Sequence, residues 1–298
     1  MKLSHESKVR LGVGIGAFVL IIGLVFGISR TLIHFDGPWD LDDVVPGLSG
    51  MDDMFDEDDL LDGGNYSARP QQLSSATFDA DQFRYLDFDI AAATVDVKVV
   101  DDNKVRVIER GRVAKGVDAS KAATQNIASV EDSTLKVSRS GSDDGKAIDR
   151  SVTVELPRRV AEHLKGINAH VGSGDLQIAG VICDGLDLFL GAGDVEFTGS
   201  VTDALSAEVG SGDVTFELYQ APAKSMDVSV DSGDVEITVP NSTGFTASLT
   251  VGSGDFESGF LPLGYDGETI LNLEFDNGDK SATYRFEVGS GDMSFDPE

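Results

Sequence analysis

The 298-residue chain has a single cysteine, Cys183, so no internal disulfide can form and the fold must be held by packing alone. Histidine is nearly as scarce. His5, His34, His163 and His170 are scattered, with no spacing that suits a zinc site. Basic residues are few: 23 Lys and Arg stand against 52 Asp and Glu, for a formal charge of −29. Nucleic acid and anionic headgroups would be repelled by such a surface, which argues against both as partners; cations, cationic peptides and basic polymers remain. The same acidity also suits a salt-adapted surface. There is no Gly-x-Ser-x-Gly elbow, no His-Glu-x-x-His and no phosphate loop, so neither catalytic residues nor a cofactor is expected and the protein reads as a non-enzyme.

What is present begins with one long uncharged run. Leu11 to Ser29 carries no charge for 19 positions and is rich in Val, Ile, Leu, Phe and Gly, long enough to cross the hydrocarbon core as a helix. Lys2, Lys8 and Arg10 precede it, and after Arg30 no basic residue occurs until Arg69. That asymmetry predicts a single-pass protein of the cell membrane, with residues 1–10 as a cytoplasmic tail, 11–29 as the span and the remainder extracellular. A cleaved signal peptide is the competing reading. Gly12, Gly16, Gly23 and Gly27 share one helix face as two Gly-x-x-x-Gly pairs, a packing surface for homo-oligomers. From Asp36 to Asp62 there are 11 acidic residues and no basic ones, interrupted by Pro38 and Pro46. Such a stretch cannot bury enough apolar surface to fold, so residues 30–75 read as a disordered, charge-extended spacer and 76–298 as the folded domain.

The second half of the chain repeats one phrase six times: Val171-Gly172-Ser173-Gly174-Asp175, Leu190-Gly191-Ala192-Gly193-Asp194, Val209-Gly210-Ser211-Gly212-Asp213, Val230-Asp231-Ser232-Gly233-Asp234, Val251-Gly252-Ser253-Gly254-Asp255 and Val288-Gly289-Ser290-Gly291-Asp292. The first five aspartates are 19, 19, 21 and 21 residues apart, and the last follows after 37, close to two periods with one degenerate turn between. A period near 20 implies stacked repeats. Apolar residues alternate on both sides of each phrase, but the inward parity switches from odd (Leu205, Ala207, Val209) to even (Val214, Phe216, Leu218) across it. Each phrase is therefore a corner between two short strands, with glycine expected to supply positive φ. A degenerate copy opens the domain, Leu86/Phe88/Ile90 then Val95/Val97/Val99. Ala114 to Asp132 loses alternation and reads as a loop with one short helix, after which strands resume at Leu135–Val137 and Val152–Leu156. The fold class is all-β: a β-solenoid, single-stranded and β-helix-like, for which a right-handed coil is expected.

The aspartate column has two readings. Equivalent residues on adjacent rungs lie about 4.8 Å apart, where two charges repel by roughly 1 kcal/mol in bulk water. Either each carboxylate accepts backbone N–H groups at its own corner, as in an Asx-turn, or a cation ladder runs along Asp175, Asp194, Asp213, Asp234, Asp255 and Asp292. The period differs from the nonapeptide of calcium-binding β-rolls, which favours structural corners. The corner serines recur too regularly to include a nucleophile, which a site needs only once.

From about Phe78 to Phe295 the chain resembles the bacterial putative-adhesin family of β-strand repeats, a domain of unknown function that accompanies Lia-type cell-envelope stress operons. The resemblance is carried by the apolar-Gly-Ser-Gly-Asp phrase and by Ser151-Val152-Thr153-Val154-Glu155-Leu156-Pro157 ahead of its first full copy. It implies a cell-surface β-solenoid for adhesion or envelope-stress sensing and brings no catalytic residues with it. Together these readings predict a membrane-anchored, non-enzymatic interaction module that binds cationic ligands such as antimicrobial peptides or other envelope proteins. The alternative is an assembly protein whose oligomers form through solenoid ends or the membrane helix.

Overall fold

The computed structural model describes residues 65–139, 145–261 and 273–298. The expected membrane helix, its glycine face and most of the acidic spacer lie outside these; among the described residues no helix is long and apolar enough to cross a membrane.

The described residues fold as all-β. In chain order the strands are β1 (Gln71–Asp79), β2 (Tyr85–Ile90), β3 (Thr94–Val100) and β4 (Lys104–Val113); then, past helix α1 (Ala119–Ala122), β5 (Ala128–Glu131), β6 (Thr134–Arg139) and β7 (Ala147–Pro157). Helix α2 (Arg158–Ala161) leads into β8 (Leu164–Val171), β9 (Asp175–Leu190), β10 (Val195–Val209), β11 (Val214–Gln220), β12 (Ser225–Val230) and β13 (Val235–Val239). The last five are β14 (Phe245–Val251), β15 (Phe256–Ser258), β16 (Leu273–Asn277), β17 (Ala282–Val288) and β18 (Met293–Pro297).

Alternation decides which face each strand buries. In β10 and β11 the inward set is Leu205, Ala207 and Val209, then Val214, Phe216 and Leu218, so parity changes at the corner as the sequence pattern implies. Strands before the corners form one parallel ladder and strands after them a second. In the first, Leu86 faces Ile167, Ile167 faces Leu186, Leu186 faces Leu205 and Leu205 faces Met226. In the second, Val95 faces Leu176, then Val195, Val214 and Val235 follow in turn. Each rung thus lays its apolar residues on like residues of the next, and every fully buried Val, Leu, Ile or Phe contributes about 1.5–3 kcal/mol. No single rung can bury both of its flanks, which is why the repeats stack.

Rung order departs from chain order at both ends. The 282–297 rung, expected after the 245–258 rung with a degenerate turn between, instead lies inside it: β17 pairs with β12 on one side and β14 on the other, and β18 with β13 and β15. At the other end the first rung, β2 with β3, is enclosed between β8–β9 and β6–β7. The C-terminal arrangement has a packing cause. Tyr284, Phe286 and Phe295 are among the largest fully buried side chains, and the inner place covers them from both sides. Antiparallel strands then cover the outer rungs: β16 on β14, β5 on β6, and β4 on β7 with β1 on β4.

Two sequence-based boundaries change. The folded body starts before residue 76, because β1 opens at Gln71 within the expected spacer, pairs with β4 and buries Leu73. The loop expected over 114–132 does contain a short helix, but it also holds β5, which pairs with β6.

Candidate functional site

The repeated phrase is built from contacts between rungs. At the second glycine of each corner, an added Cβ would lie 2.2 Å from the Gly174 carbonyl oxygen at Gly193, 1.8 Å from that of Gly193 at Gly212, 2.0 Å from that of Gly212 at Gly233, and 1.9 Å from that of Gly233 at Gly291. Gly254 meets Gly291 at 1.8 Å, and Gly174 meets Ala93 at 2.2 Å. The first glycines are almost as tight: Gly191, Gly210, Gly252 and Gly289 each have a neighbouring backbone oxygen 2.6–2.7 Å from the Cβ position, whereas Gly172 has 3.3 Å. The expected reason for these glycines was positive φ, but among them only Gly193 has one (155°). The observed reason is the close approach of the adjacent rung's backbone, which leaves no room for a side chain.

The aspartates also act between rungs. Asp175 Oδ1 accepts the backbone N–H of Asp194 at 3.3 Å, Asp213 that of Asp234 at 3.4 Å, Asp234 that of Asp292 at 3.1 Å and Asp292 that of Asp255 at 3.0 Å. At these four positions the carboxylate reaches the adjacent rung, where an Asx-turn at its own corner was expected. Hydrogen bonds to a charged group contribute about 1.5–3 kcal/mol each, against roughly 1 kcal/mol of repulsion between neighbouring carboxylates in water, so these four bonds offset repulsion along the column. The serines are engaged as well. Ser173 Oγ donates to Ala91 O at 2.8 Å, Ser211 to Gly191 O at 3.2 Å, Ser232 to Gly210 O at 3.1 Å and Ser290 to Asp231 O at 3.1 Å.

Where β11, β13, β15 and β18 leave their corners, the surface is concave. A groove of about 500 Å³ is lined by Asp213, Asp234, Asp255 and Asp292 together with Glu236 and Glu257, and no Lys or Arg lines it. The glutamates occupy the outward positions of β13 and β15, while Val235, Ile237 and Phe256 face the core. Between Lys165 and Lys280 the chain has one basic residue, Lys224, which pairs with Asp203 at 2.6 Å. Among the described residues no group of three or more His, Cys, Asp or Glu is arranged to hold a metal ion.

Cys183, His163 and His170 do not line this groove. Cys183 is buried, its Sγ 3.8 Å from Ser200 O, and desolvation first, then the neighbouring Asp184 charge, pushes the thiol up to about 12. His170 stacks on Phe189 at 4.6 Å, and His163 Nδ1 lies 3.2 Å from Arg159 O. Sequence reading missed the most buried charge, Glu109, fully enclosed in β4. Its carboxylate accepts from Arg150 at 2.8 Å, from Thr124 N at 2.8 Å and Thr124 Oγ1 at 2.5 Å, and from Ser74 Oγ at 3.1 Å. The signal was legible, since Glu109 shares the inward parity of Val105, Val107 and Val113. The acidic groove was missed as a place, because nothing in one rung announces the concavity formed by four.

The model of the family described as Toastrack DUF4097 matches residues 117–295. No curated protein matches the chain. Among solved structures, a "putative cell adhesion protein" from Clostridium sporogenes is 11% identical, with 77% of this chain and 100% of that chain covered and a TM-score of 0.42. A "putative adhesin" from Bacteroides fragilis is 15% identical over 77% and 98%, with a TM-score of 0.37. A "putative lipid binding protein" from Parabacteroides distasonis is 14% identical over 76% and 98%, with a TM-score of 0.32.

Proposed function

Since the chain belongs to the Toastrack DUF4097 family, β-strand-repeat proteins grouped with the putative adhesins, we propose that it is a non-enzymatic surface-interaction module whose solenoid carries a binding groove for cationic ligands. In this reading residues 11–29 anchor it in the cell membrane with the N-terminus cytoplasmic, and the acidic spacer holds the repeat domain beyond the lipid surface. The observation that carries the proposal is the groove of six carboxylates, Asp213, Asp234, Glu236, Asp255, Glu257 and Asp292, with no Lys or Arg among its lining residues. A basic peptide approaching it meets a one-signed field focused by a concave wall, which speeds encounter and selects for charge. Adhesion to basic polymers and sensing of antimicrobial peptides would both use this surface.

The test is the binding of a cationic antimicrobial peptide to the full chain purified in detergent, measured by calorimetry across salt concentrations. Binding should weaken at least tenfold between low and high salt, because exposed opposite charges are screened, and Glu236→Gln with Glu257→Gln should weaken it further without unfolding the domain. Binding that is indifferent to salt and to both glutamates would refute the reading.

A further inference from the structure

The inner position of the 282–297 rung has a second consequence. Ser225 faces Thr283, and Thr283 faces Thr246; Val235 faces Met293, and Met293 faces Phe256. Residues 225 and 246, and likewise 235 and 256, are thus equivalent and 21 positions apart in both ladders. The preceding pair of rungs has the same offset, with Ala204 facing Ser225 and Val214 facing Val235. The 225–239 and 245–258 rungs are therefore in register with each other, and the later segment parts them like a leaf slid between two pages.

Among the described residues, the backbone bonds that hold this leaf run to its two neighbours. Thr283 N donates to Lys224 O at 2.9 Å, Gly289 N to Val230 O at 2.7 Å and Ser290 N to Asp231 O at 2.8 Å; in return Gly252 N donates to Val288 O at 2.7 Å and Ser253 N to Gly289 O at 2.7 Å. Tyr284 stacks on Phe245 at 5.1 Å and its buried hydroxyl donates to Pro222 O at 2.8 Å. None of these contacts requires that the leaf and the slot belong to one molecule. Exchanging an identical element between protomers keeps its contacts and costs chiefly the entropy of association.

We propose that residues 282–298 form an exchangeable rung, and that the slot between the 225–239 and 245–258 rungs accepts this rung from a second copy of the chain. Two copies that exchange leaves are joined through their repeat domains, independently of any contact between membrane helices, and each acidic groove then takes its Asp292 from the other copy.

The facing pair Ser229 and Glu287 provides the test. Adjacent parallel strands put their Cα atoms about 4.8 Å apart, within disulfide reach, and the buried Cys183 does not compete. Full-length chains carrying Ser229→Cys alone and Glu287→Cys alone are refolded together in detergent at rising concentration, then oxidised and mapped by mass spectrometry. A disulfide joining the two different chains, increasing with concentration and co-eluting with dimer, is expected. The chain with both substitutions serves as a control and should close the bond within itself. If it does so while the mixed single variants give no joined product, rung exchange is wrong. If the doubly substituted chain does not close the bond either, β17 does not adjoin β12 and the proposal falls with its premise.

Discussion

Asp234 Oδ1 accepts a hydrogen bond at 3.1 Å from the backbone N–H of Asp292, a residue 58 positions further along the chain. The repeated aspartate therefore works as an inter-rung fastener whose partner is set by space and not by sequence neighbourhood. Asparagine keeps a carbonyl oxygen where the carboxylate oxygen lies and removes the charge. Asp234→Asn should accordingly change stability little, whereas Asp234→Ala should cost about 0.5–2 kcal/mol, the range for losing a side-chain cap on a backbone N–H. Thermal melts with calcium or chelator separate this from a cation ladder. A calcium-dependent rise in melting temperature that Asn abolishes would show that metal holds the column, since hard cations prefer charged oxygen.

Glycine in the corners answers to the neighbouring backbone. Gly212→Ala would put a methyl 1.8 Å from the Gly193 carbonyl oxygen, so the rungs must part locally. A loss of about 4 kcal/mol or more is expected in urea unfolding, in the range reserved for a named steric conflict. Gly185 is the contrast, because the nearest atom to its Cβ position is Ala204 O at 3.8 Å. Gly185→Ala should stabilise by about 0.4–1 kcal/mol, mainly by restricting the unfolded chain. Equal effects at the two sites would mean that rung spacing is looser than observed.

These two sites also show what the sequence makes legible. Alternation at Val209 and Val214 reveals the corner and its change of face, because side-chain direction follows from backbone geometry alone. The cause of the glycine at 212 is hidden, since positive φ and close approach select the same residue. Rung order is hidden for a similar reason: Asp292 fits the repeat equally well beside Asp234 or beyond Asp255, and only the burial of Tyr284, Phe286 and Phe295 favours the inner place. The groove depends on outward residues of several rungs, and no local pattern marks their convergence.

Glu109 and Arg150 tie β4 to β7 beneath α1, with Arg150 also donating to Ala122 O at 2.8 Å. Removing one partner of a buried ion pair leaves the other's charge desolvated. Glu109→Ala should destabilise by about 3–5 kcal/mol. Replacing the pair with apolar residues should cost much less than the single change. Chemical denaturation of both variants checks this; a single variant no worse than the double would show that the pair is not coupled.

Cys183 gives the alkaline limit of the fold a measurable component. Its thiol is neutral when buried and ionises only near pH 12, against about 9 when exposed by unfolding. The folded state therefore holds the proton more tightly. The thiol has no effect on stability below pH 9, and it lowers stability as pH rises from 9 toward 12, because ionisation then favours the unfolded chain. At about 1.36 kcal/mol per pH unit, the loss approaches roughly 4 kcal/mol by the upper end of that window. Cys183→Val retains an apolar side chain of similar size and removes the titration. Urea unfolding of both proteins from pH 7 to 11 should give a constant difference up to pH 9, then a steadily growing advantage for the valine variant. A pH-independent difference would mean that water reaches Sγ. In that case the native thiol should also react with iodoacetamide at pH 8, which a buried Cys183 should resist.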